Sequence, residues 1–503
     1  MKILPVESIR EADAYTIKHE PISGIDLMER AAAECFQWIF ANIPADQPIK
    51  VFCGTGNNGG DGFAIARMLA GKGYSVDTFL VGDPSKLTPS CRINYQQIPR
   101  DGCKVIQMSS DFPRIEVTDV VIDAIFGSGL TRTPEGLPAD LIDHINNSRP
   151  LVISIDLPSG LFCDNSVKGI KNPVVIEAGH TLSFAPPKFA LFFPENVQYT
   201  GVWHLLDIGL MQDFIEAAKV SNFFITHEMC EHILHRRNKF DHKGCFGHAL
   251  LICGATGKMG AAILSAHGCL RSGPGLVTVH VPRDGGAILQ TTLPEAMVSV
   301  DKDSDVFSSP PDLTAYSSIA VGPGIGKGEH TASALKLLIQ NSHLPIIFDA
   351  DAINILSENK TWLGFLKPGS IFTPHIKEFE RLVGKSSNDF ERNRLQREFS
   401  VKYNAYVALK GANTAITTPG GDCYFNSTGN PGMATGGSGD VLTGITAGLM
   451  AQGYSSLDSL LLGVYLHGLA GDLAVASTGF EALIASDIIT HLGTAFQTLY
   501  GKL

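Results

Sequence analysis

Five glycines crowd one stretch near the C-terminal end: Gly429-Asn430-Pro431-Gly432-Met433-Ala434-Thr435-Gly436-Gly437-Ser438-Gly439-Asp440. One acid, Asp440, closes the run, and Val441, Leu442, Ile445 and Leu449 follow at helical spacing. The pattern predicts a loop feeding a helix N-terminus. In such a loop glycines let successive N–H groups turn inward, and the helix dipole adds partial positive charge. A phosphate can sit there. An acid at the edge can take a proton from a hydroxyl as a phosphoryl group arrives. The alternative is a tight turn in which Asp440 only caps the helix.

Other polar residues stand at the ends of apolar, strand-like runs. Lys410-Gly411-Ala412-Asn413-Thr414 could hold a nucleotide phosphate or ribose. Asp349 and Asp351 could join them or cap the next helix. His375, in Thr373-Pro374-His375, could hydrogen-bond a substrate or be a satisfied structural histidine. The chain has no GxxxxGK[ST] and no kinase HRD, so phosphoryl chemistry here would belong to neither class. In the first half Asn57, Asn58, Asp61, Asp123, Asp156 and Ser159 stand at or just after strand ends. Carboxylates, an amide oxygen and backbone carbonyls suit a hard cation. An acid at a strand end can serve as a general base, and Arg132 could pair with a phosphate or a developing charge. Asp61 could equally be a helix cap. Gly54 to Gly59 fits GxGxxG, and Asp77 is the one acid near the distance expected of a ribose partner.

Strands alternating with helices must position these groups. Ser8–Tyr15 and Gly24–Phe40 read as helices, Ile49–Cys53 as a buried strand, and Phe63–Gly71 as the helix after a glycine loop. Residues 75–81, 119–126 and 151–156 read as further strands. The second half repeats the pattern with strands at 249–254, 276–281, 318–321, 345–349, 371–375 and 405–410 and a helix at 261–271. This predicts two mostly parallel α/β sheets, with ligands beyond the carboxyl ends of the strands. The expected domains are 1–215 and 241–503, with 216–240 a linker. His227, Cys230, His232 and His235 lie in the linker, and His242, Cys245 and His248 just after it. Their spacing matches no standard zinc pattern, so they read as polar linker. Leu460 to Ala476 is apolar but holds His467 and Asp472, and reads as a buried helix rather than a membrane span.

Composition narrows the class. At 503 residues, 44% hydrophobic and 18% charged, the chain reads as a soluble protein of two or more domains. A net charge of −11 argues against nucleic-acid binding. Ten scattered cysteines without a CxxC pair imply reduced thiols and a cytoplasmic setting. The N-terminus has no signal-peptide apolar core.

Taken in order, Val321-Gly322-Pro323-Gly324-Ile325-Gly326, Phe348-Asp349-Ala350-Asp351-Ala352, Thr373-Pro374-His375, Leu409 to Thr414 and Gly429 to Asp440 resemble the NAD(P)H-hydrate dehydratases. Asn57 to Gly62, Asp123, Gly127 to Arg132 and Asp156-Leu157-Pro158-Ser159-Gly160 resemble the NAD(P)H-hydrate epimerases. The whole chain resembles the bifunctional NAD(P)H-hydrate repair family, in which the two are fused. That resemblance implies an N-terminal Rossmann-like three-layer αβα domain and a C-terminal ribokinase-like α/β domain. It implies interconversion of the two C6 epimers of hydrated NADH and NADPH (NADHX, NADPHX). It also implies dehydration of the S epimer at the expense of ADP, with magnesium, giving AMP and phosphate.

The same resemblance implies residue roles. Asp440 would deprotonate the ring hydroxyl, beside an anion hole of Gly436, Gly437, Ser438 and Gly439. Ala261, Gly324 and His375 would line the hydrate pocket. Lys410, Gly411, Ala412, Asn413, Thr414 and Gly439 would hold the nucleotide. In the epimerase, Asn58, Asp123 and Ser159 would hold a potassium ion, and Asp156 would be the acid/base group. Substrate contacts would fall at Asn57, Asn58, Gly59, Gly60, Asp61, Gly127, Ser128, Gly129, Leu130, Thr131, Arg132, Thr133 and Asp156. A homo-oligomer is expected, with no nucleic-acid or membrane partner. Two other readings stay open: a hydroxymethylpyrimidine- or sugar-type kinase, and a binding or scaffold role for the first half.

Overall fold

The structure, a computed structural model, describes residues 1–99 and 101–501. The chain divides into two compact units, Lys2–Val220 with Asn388–Phe390, and Met1 with Ser221–Ser387 and Glu391 onward.

The first unit is built on β1 (Ile49–Cys53), β2 (Val76–Val81), β3 (Cys103–Ile106), β4 (Val120–Ala124), β5 (Leu151–Ile155), β6 (His180–Phe184) and β7 (Val202–Leu206). They form one parallel sheet in the order β3-β2-β1-β4-β5-β6-β7. Five longer helices accompany it: α1 (Val6–His19), α2 (Gly24–Asn42), α3 (Asn57–Ala70), α4 (Pro89–Gln97) and α5 (Leu137–Ser148). Two short ones follow, α6 (Val197–Thr200) and α7 (Gln212–Ala217). In α2 Ser23 and Asp26 form a capping box, and Leu27, Ala31, Cys35 and Ile39 are buried along one face, the stripe the sequence predicts. The strand order reverses between β1 and β4, which is where open α/β sheets bind ligands.

Two expectations change here. The Asn57-to-Gly62 run is not a loop before a helix at 63–71; it is the start of α3. Glycine is required inside that helix because a Cβ on Gly59 would lie 1.9 Å from the Gly54 carbonyl oxygen. Strands β3, β6 and β7 were not read from the sequence. They are short and only partly apolar: Lys104 lies within β3, His180 opens β6 and His204 lies in the middle of β7.

The second unit has a ten-stranded sheet. Its strands are β8 (Asn222–Phe224), β9 (His248–Ile252), β10 (Leu276–Val281), β11 (Met297–Val300), β12 (Ser318–Val321), β13 (Ile346–Phe348), β14 (Ile371–Phe372), β15 (Tyr406–Leu409), β16 (Ala415–Thr417) and β17 (Cys423–Phe425). The order is β11-β10-β9-β12-β13-β14-β15-β16-β17-β8, parallel except where β16 meets β15 and β17. Its helices are α8 (His227–Ile233), α9 (Met259–Ser272), α10 (Gly286–Thr292), α11 (Glu329–Asn341), α12 (Ala350–Glu358), α13 (Ile376–Val383), α14 (Asp389–Tyr403), α15 (Ser438–Ala451), α16 (Ser456–Thr478) and α17 (Ala485–Tyr500).

The expected linker 216–240 is corrected by β8 and α8. Phe223 and Phe224 extend the second sheet beside β17, and Cys230 is fully buried in its core. The apolar Leu460-to-Ala476 stretch is α16. Its mean hydropathy reaches 1.5, and 67% of that window is buried, against α15 and α17. All ten cysteines carry free thiols, and all but Cys103 and Cys245 are buried.

Candidate active sites

In the first unit Asp123 ends β4, in register with Phe52 of β1 and Ser154 of β5. Its carboxylate is fully buried and accepts from the Ser159 N–H and the Ser154 hydroxyl, each at 2.8 Å, and from the Ile125 N–H at 3.3 Å. The Ser159 hydroxyl also bonds Asp123 and in turn accepts from the Phe126 N–H at 2.8 Å. Burial pushes the Asp123 carboxyl up, while the Ser159 and Ser154 bonds oppose that push.

Gly127 brings the other groups together: a Cβ there would sit 3.2 Å from both the Asn58 amide carbon and Asp156 Oδ2. Asn58 is buried, and neither atom of its amide has a hydrogen-bond partner. A buried amide oxygen left unpaired, in a sheet end that also carries the buried Asp123 carboxylate and Ser159 hydroxyl, is chemistry that suits a hard cation. Asp156 itself sits at φ +68°, uncommon for a residue with a side chain. It accepts from the Ser128 N–H at 2.9 Å and pairs with Lys188 Nζ at 2.6 Å. Burial pushes its carboxyl up, but Lys188 and Ser128 outweigh burial and leave it below the usual range.

Lys188 escaped sequence reasoning. It follows β6, one of the strands that were not foreseen, and only the tripeptide Pro186-Pro187-Lys188 marks it in the chain. Arg132, the expected cation, is instead exposed on a loop where Leu130 to Thr133 are exposed or half-buried. Asp61 is no helix cap. Gly56 holds that position in α3, and Asp61 is buried further in. Burial pushes its carboxyl well up, and Asp156, Asp13 and Glu29 push the same way.

In the second unit α15 packs on α9 backbone to backbone. A Cβ on Gly444 would lie 1.9 Å from the Ser265 carbonyl oxygen. That approach sets Ala261 of α9 opposite Asp440 of α15 across a cavity of about 480 Å³, also lined by Gly324, Asp351, Gly436 and Gly437. Gly437 precedes α15 at φ +92°, a conformation that favours glycine. The first-turn N–H groups of Ser438, Gly439 and Asp440 have no partner within the helix. Behind them the Ser438 hydroxyl donates to the Met433 carbonyl, and His467 Nε2 donates to the Ser438 carbonyl, each at 2.9 Å. Burial pushes His467 down to about 4, so it is a neutral donor at ordinary pH.

Asp440 makes no capping hydrogen bond, so the cap alternative is not realised. Burial pushes its carboxyl up to about 7; Asp349 adds to the push and Lys410 opposes it. Asp349 holds the N-cap position of α12, but its side chain makes no capping bond. It accepts from Thr373 Oγ1 and Lys410 Nζ at 2.9 Å and from Thr443 Oγ1 at 2.8 Å. A Cβ on Gly439 would come 3.0 Å from Lys410 Nζ, so the lysine ammonium stands directly beside the glycine loop. Gly411 and Thr414 close the Lys410-to-Thr414 turn on each other through the Thr414 hydroxyl. His375 caps α13 through Nδ1, which accepts from the Lys377 and Glu378 N–H groups, and its side chain stays half exposed. Asp351 accepts from the Gly326 N–H at 2.9 Å and pairs with Lys258 at 3.3 Å.

Both units have relatives among known proteins. Residues 249–493 match the NAD(P)H-hydrate dehydratase family and residues 24–190 the YjeF-related protein N-terminus family. The bifunctional NAD(P)H-hydrate repair enzyme Nnr of Moorella thermoacetica is 34% identical over 99% of this chain and 97% of its own. Its namesake in Vibrio cholerae is 35% identical over 97% and 96%. Among solved structures, the ADP/ATP-dependent NAD(P)H-hydrate dehydratase of Bacillus subtilis, co-crystallised with ATP and Mg²⁺, is 29% identical. It aligns at a TM-score of 0.50 over 55% of this chain and 98% of its own. The full-length matches set aside the small-molecule kinase and scaffold readings. The chain belongs to the family of bifunctional NAD(P)H-hydrate repair enzymes.

Proposed function

We propose that the first unit interconverts the C6 epimers of NADHX and NADPHX, and that the second dehydrates the S epimer with ADP and magnesium. The observation that carries the second half is Asp440. Its carboxyl, poised at about 7, stands at the free N–H groups of α15 and faces the cavity of Ala261 and Gly324. As the carboxylate it takes the proton of the ring hydroxyl, which attacks the terminal phosphoryl of ADP. The N–H groups of residues 436–439 and Lys410 offset the charge that develops there. Phosphorylated oxygen is a far better leaving group than hydroxide. It departs as phosphate, C5 loses a proton, and the C5–C6 double bond of NADH returns. The Lys410-to-Thr414 turn holds the nucleotide.

In the first unit Asp156, kept anionic by Lys188, is the base at the C6 hydroxyl. Asn58, Asp123 and Ser159 would hold a potassium ion, which supplies fixed positive charge beside the substrate. Ten free thiols suit a cytoplasmic setting, and we expect a homo-oligomer.

The test is purified protein with mixed-epimer NADHX, followed by the return of NADH absorbance with ADP, with ATP, or with neither. Full recovery with ADP and little with ATP supports the reading and names the donor. No recovery with either nucleotide removes it.

A further inference from the structure

One turn after β13 anchors two lysines. Asp349 and Asp351 flank Ala350, which sits at φ +45°, a conformation uncommon for a residue with a side chain. Asp349 pairs with Lys410, beside the glycine loop. Asp351 pairs with Lys258: its Oδ2 lies 3.3 Å from Lys258 Nζ and also accepts from the Gly326 N–H at 2.9 Å. Lys258 immediately precedes α9, and Gly324 presses against it. A Cβ on Gly324 would lie 3.1 Å from both Ala261 Cβ and the Lys258 carbonyl oxygen, and 3.2 Å from Lys258 Cβ. Lys258 therefore shares a wall with Ala261 and Gly324, and it lines the same cavity as Asp440.

The assignments so far give Lys410 to the nucleotide and leave Lys258 unused. Charge in the cavity gives it a task. The other ionisable residues on the lining are Asp351 and Asp440, both acids, and Lys258 is the one cation among the described residues there. The hydrate is itself an anion. Its ring is joined through a ribose to a diphosphate, so the diphosphate follows the ring toward two carboxylates. Without an opposing charge that approach is repulsive. The Lys258 side chain is 53% exposed and that of Asp351 17%, so the ammonium stands at the rim while its partner is set deeper. Asp351 occupies one of the three ammonium N–H groups, and the others are available to a phosphate at the rim.

We infer that Lys258 binds the diphosphate of the hydrate and sets the affinity of the dehydratase for it, with Asp351 positioning the ammonium. The inference rests on the placement of the hydrate ring among Ala261, Gly324 and Asp440. The diphosphate takes no part in the chemistry, so Lys258 holds it equally in the ground state and the transition state. Such uniform binding lowers KM and leaves kcat alone. The ion pair with Asp351 is exposed on the lysine side and contributes little to folding. Loss of Lys258 is therefore felt in binding. The nucleotide keeps its own cation, Lys410, on the other acid of the turn.

The experiment measures dehydration of pure S-NADHX and S-NADPHX by the full chain at saturating ADP, in low and high salt, for the parent, Lys258→Met and Lys258→Arg. Lys258→Met should raise KM for both hydrates about tenfold, with kcat and the KM for ADP within about twofold of the parent. It should also flatten the fall of kcat/KM with salt, because the screened contact is gone. Lys258→Arg should recover most of the affinity. Parent-like KM values for both hydrates in Lys258→Met overturn the proposal. So does a rise confined to NADPHX, which moves the lysine to the 2′-phosphate, or a rise confined to ADP, which moves it to the nucleotide. A raised KM with the parent's salt dependence assigns Lys258 to the shape of the pocket and overturns the contact as well. If Lys258→Met does not fold, Lys258→Gln is read by the same outcomes. A parent that dehydrates neither hydrate overturns the ring placement, and this inference with it, before any variant is read.

Discussion

Lys188 Nζ lies 2.6 Å from Asp156 Oδ1, and both side chains are nearly closed to solvent, at 2% and 11% exposure. The pair fixes the ionisation of Asp156 while the strained φ of that residue fixes its direction. Because the folded carboxyl is depressed, its stabilisation is present above about pH 4 and is lost as pH falls through the lower folded value. Lys188→Met leaves the carboxylate buried without its counter-charge. It should cost about 3 kcal/mol in the unfolding of the first unit, read by urea titration at pH 7. Epimerisation in any folded fraction should then show a new fall on the acid side. A variant as stable and as active as the parent would remove the pair from the mechanism.

Asp440 carries the opposite sign. Its carboxyl is raised to about 7, so the folded state keeps a proton that the unfolded chain releases above about pH 4. Stability of the second unit should fall as pH climbs from about 4 to about 7, while dehydration, which needs the carboxylate, rises over the upper part of that range. Asp440→Asn should abolish dehydration, leave R-to-S conversion intact, and raise the thermal midpoint of the second unit at pH 8. Equal loss of both activities would refute separate sites.

Much of this was legible because backbone chemistry leaves marks in residue type. A positive φ at Gly437 and the close approaches at Gly59 and Gly444 can be met only by glycine, so the loops announce themselves. Asp123, Asp156 and Lys410 follow apolar strands and were placed from that alone. Lys188 was not, since it follows β6, a short strand that opens on His180 and is broken by Thr181 and Ser183. Its partner lies 32 residues away in sequence (188 − 156), and no local pattern encodes such a pairing. The expected linker failed for a related reason: β8 is three residues long, and its partner β17 lies about two hundred positions on.

The glycines of the second site divide into those pressed against backbone and those that face open space. A Cβ on Gly444 meets the Ser265 carbonyl oxygen at 1.9 Å, whereas one on Gly436 meets nothing within 4 Å. Gly444→Ala should therefore force α15 off α9 and cost about 3 kcal/mol or more, seen in the denaturant midpoint of the second unit. Gly436→Ala should leave that midpoint alone and act only on turnover, raising KM for ADP severalfold because a methyl group enters the phosphate loop. Similar stability losses in both variants would contradict the division.

The last prediction concerns the unpaired amide of Asn58. Two orphaned polar atoms on a buried side chain cost about 1–3 kcal/mol each unless something satisfies them. A potassium ion shared with Asp123 and Ser159 would satisfy the oxygen, and its charge would hold the buried Asp123 carboxyl ionised, against the direction in which burial pushes it. Exchanging potassium for a bulky organic cation should lower the thermal midpoint of the first unit and slow R-to-S conversion. Dehydration of the pure S epimer should not respond. Asn58→Leu removes the amide without removing volume, so it should abolish the potassium-dependent shift in midpoint. A shift that survives in Asn58→Leu would place the ion elsewhere, because in that variant the amide oxygen can no longer be one of its ligands.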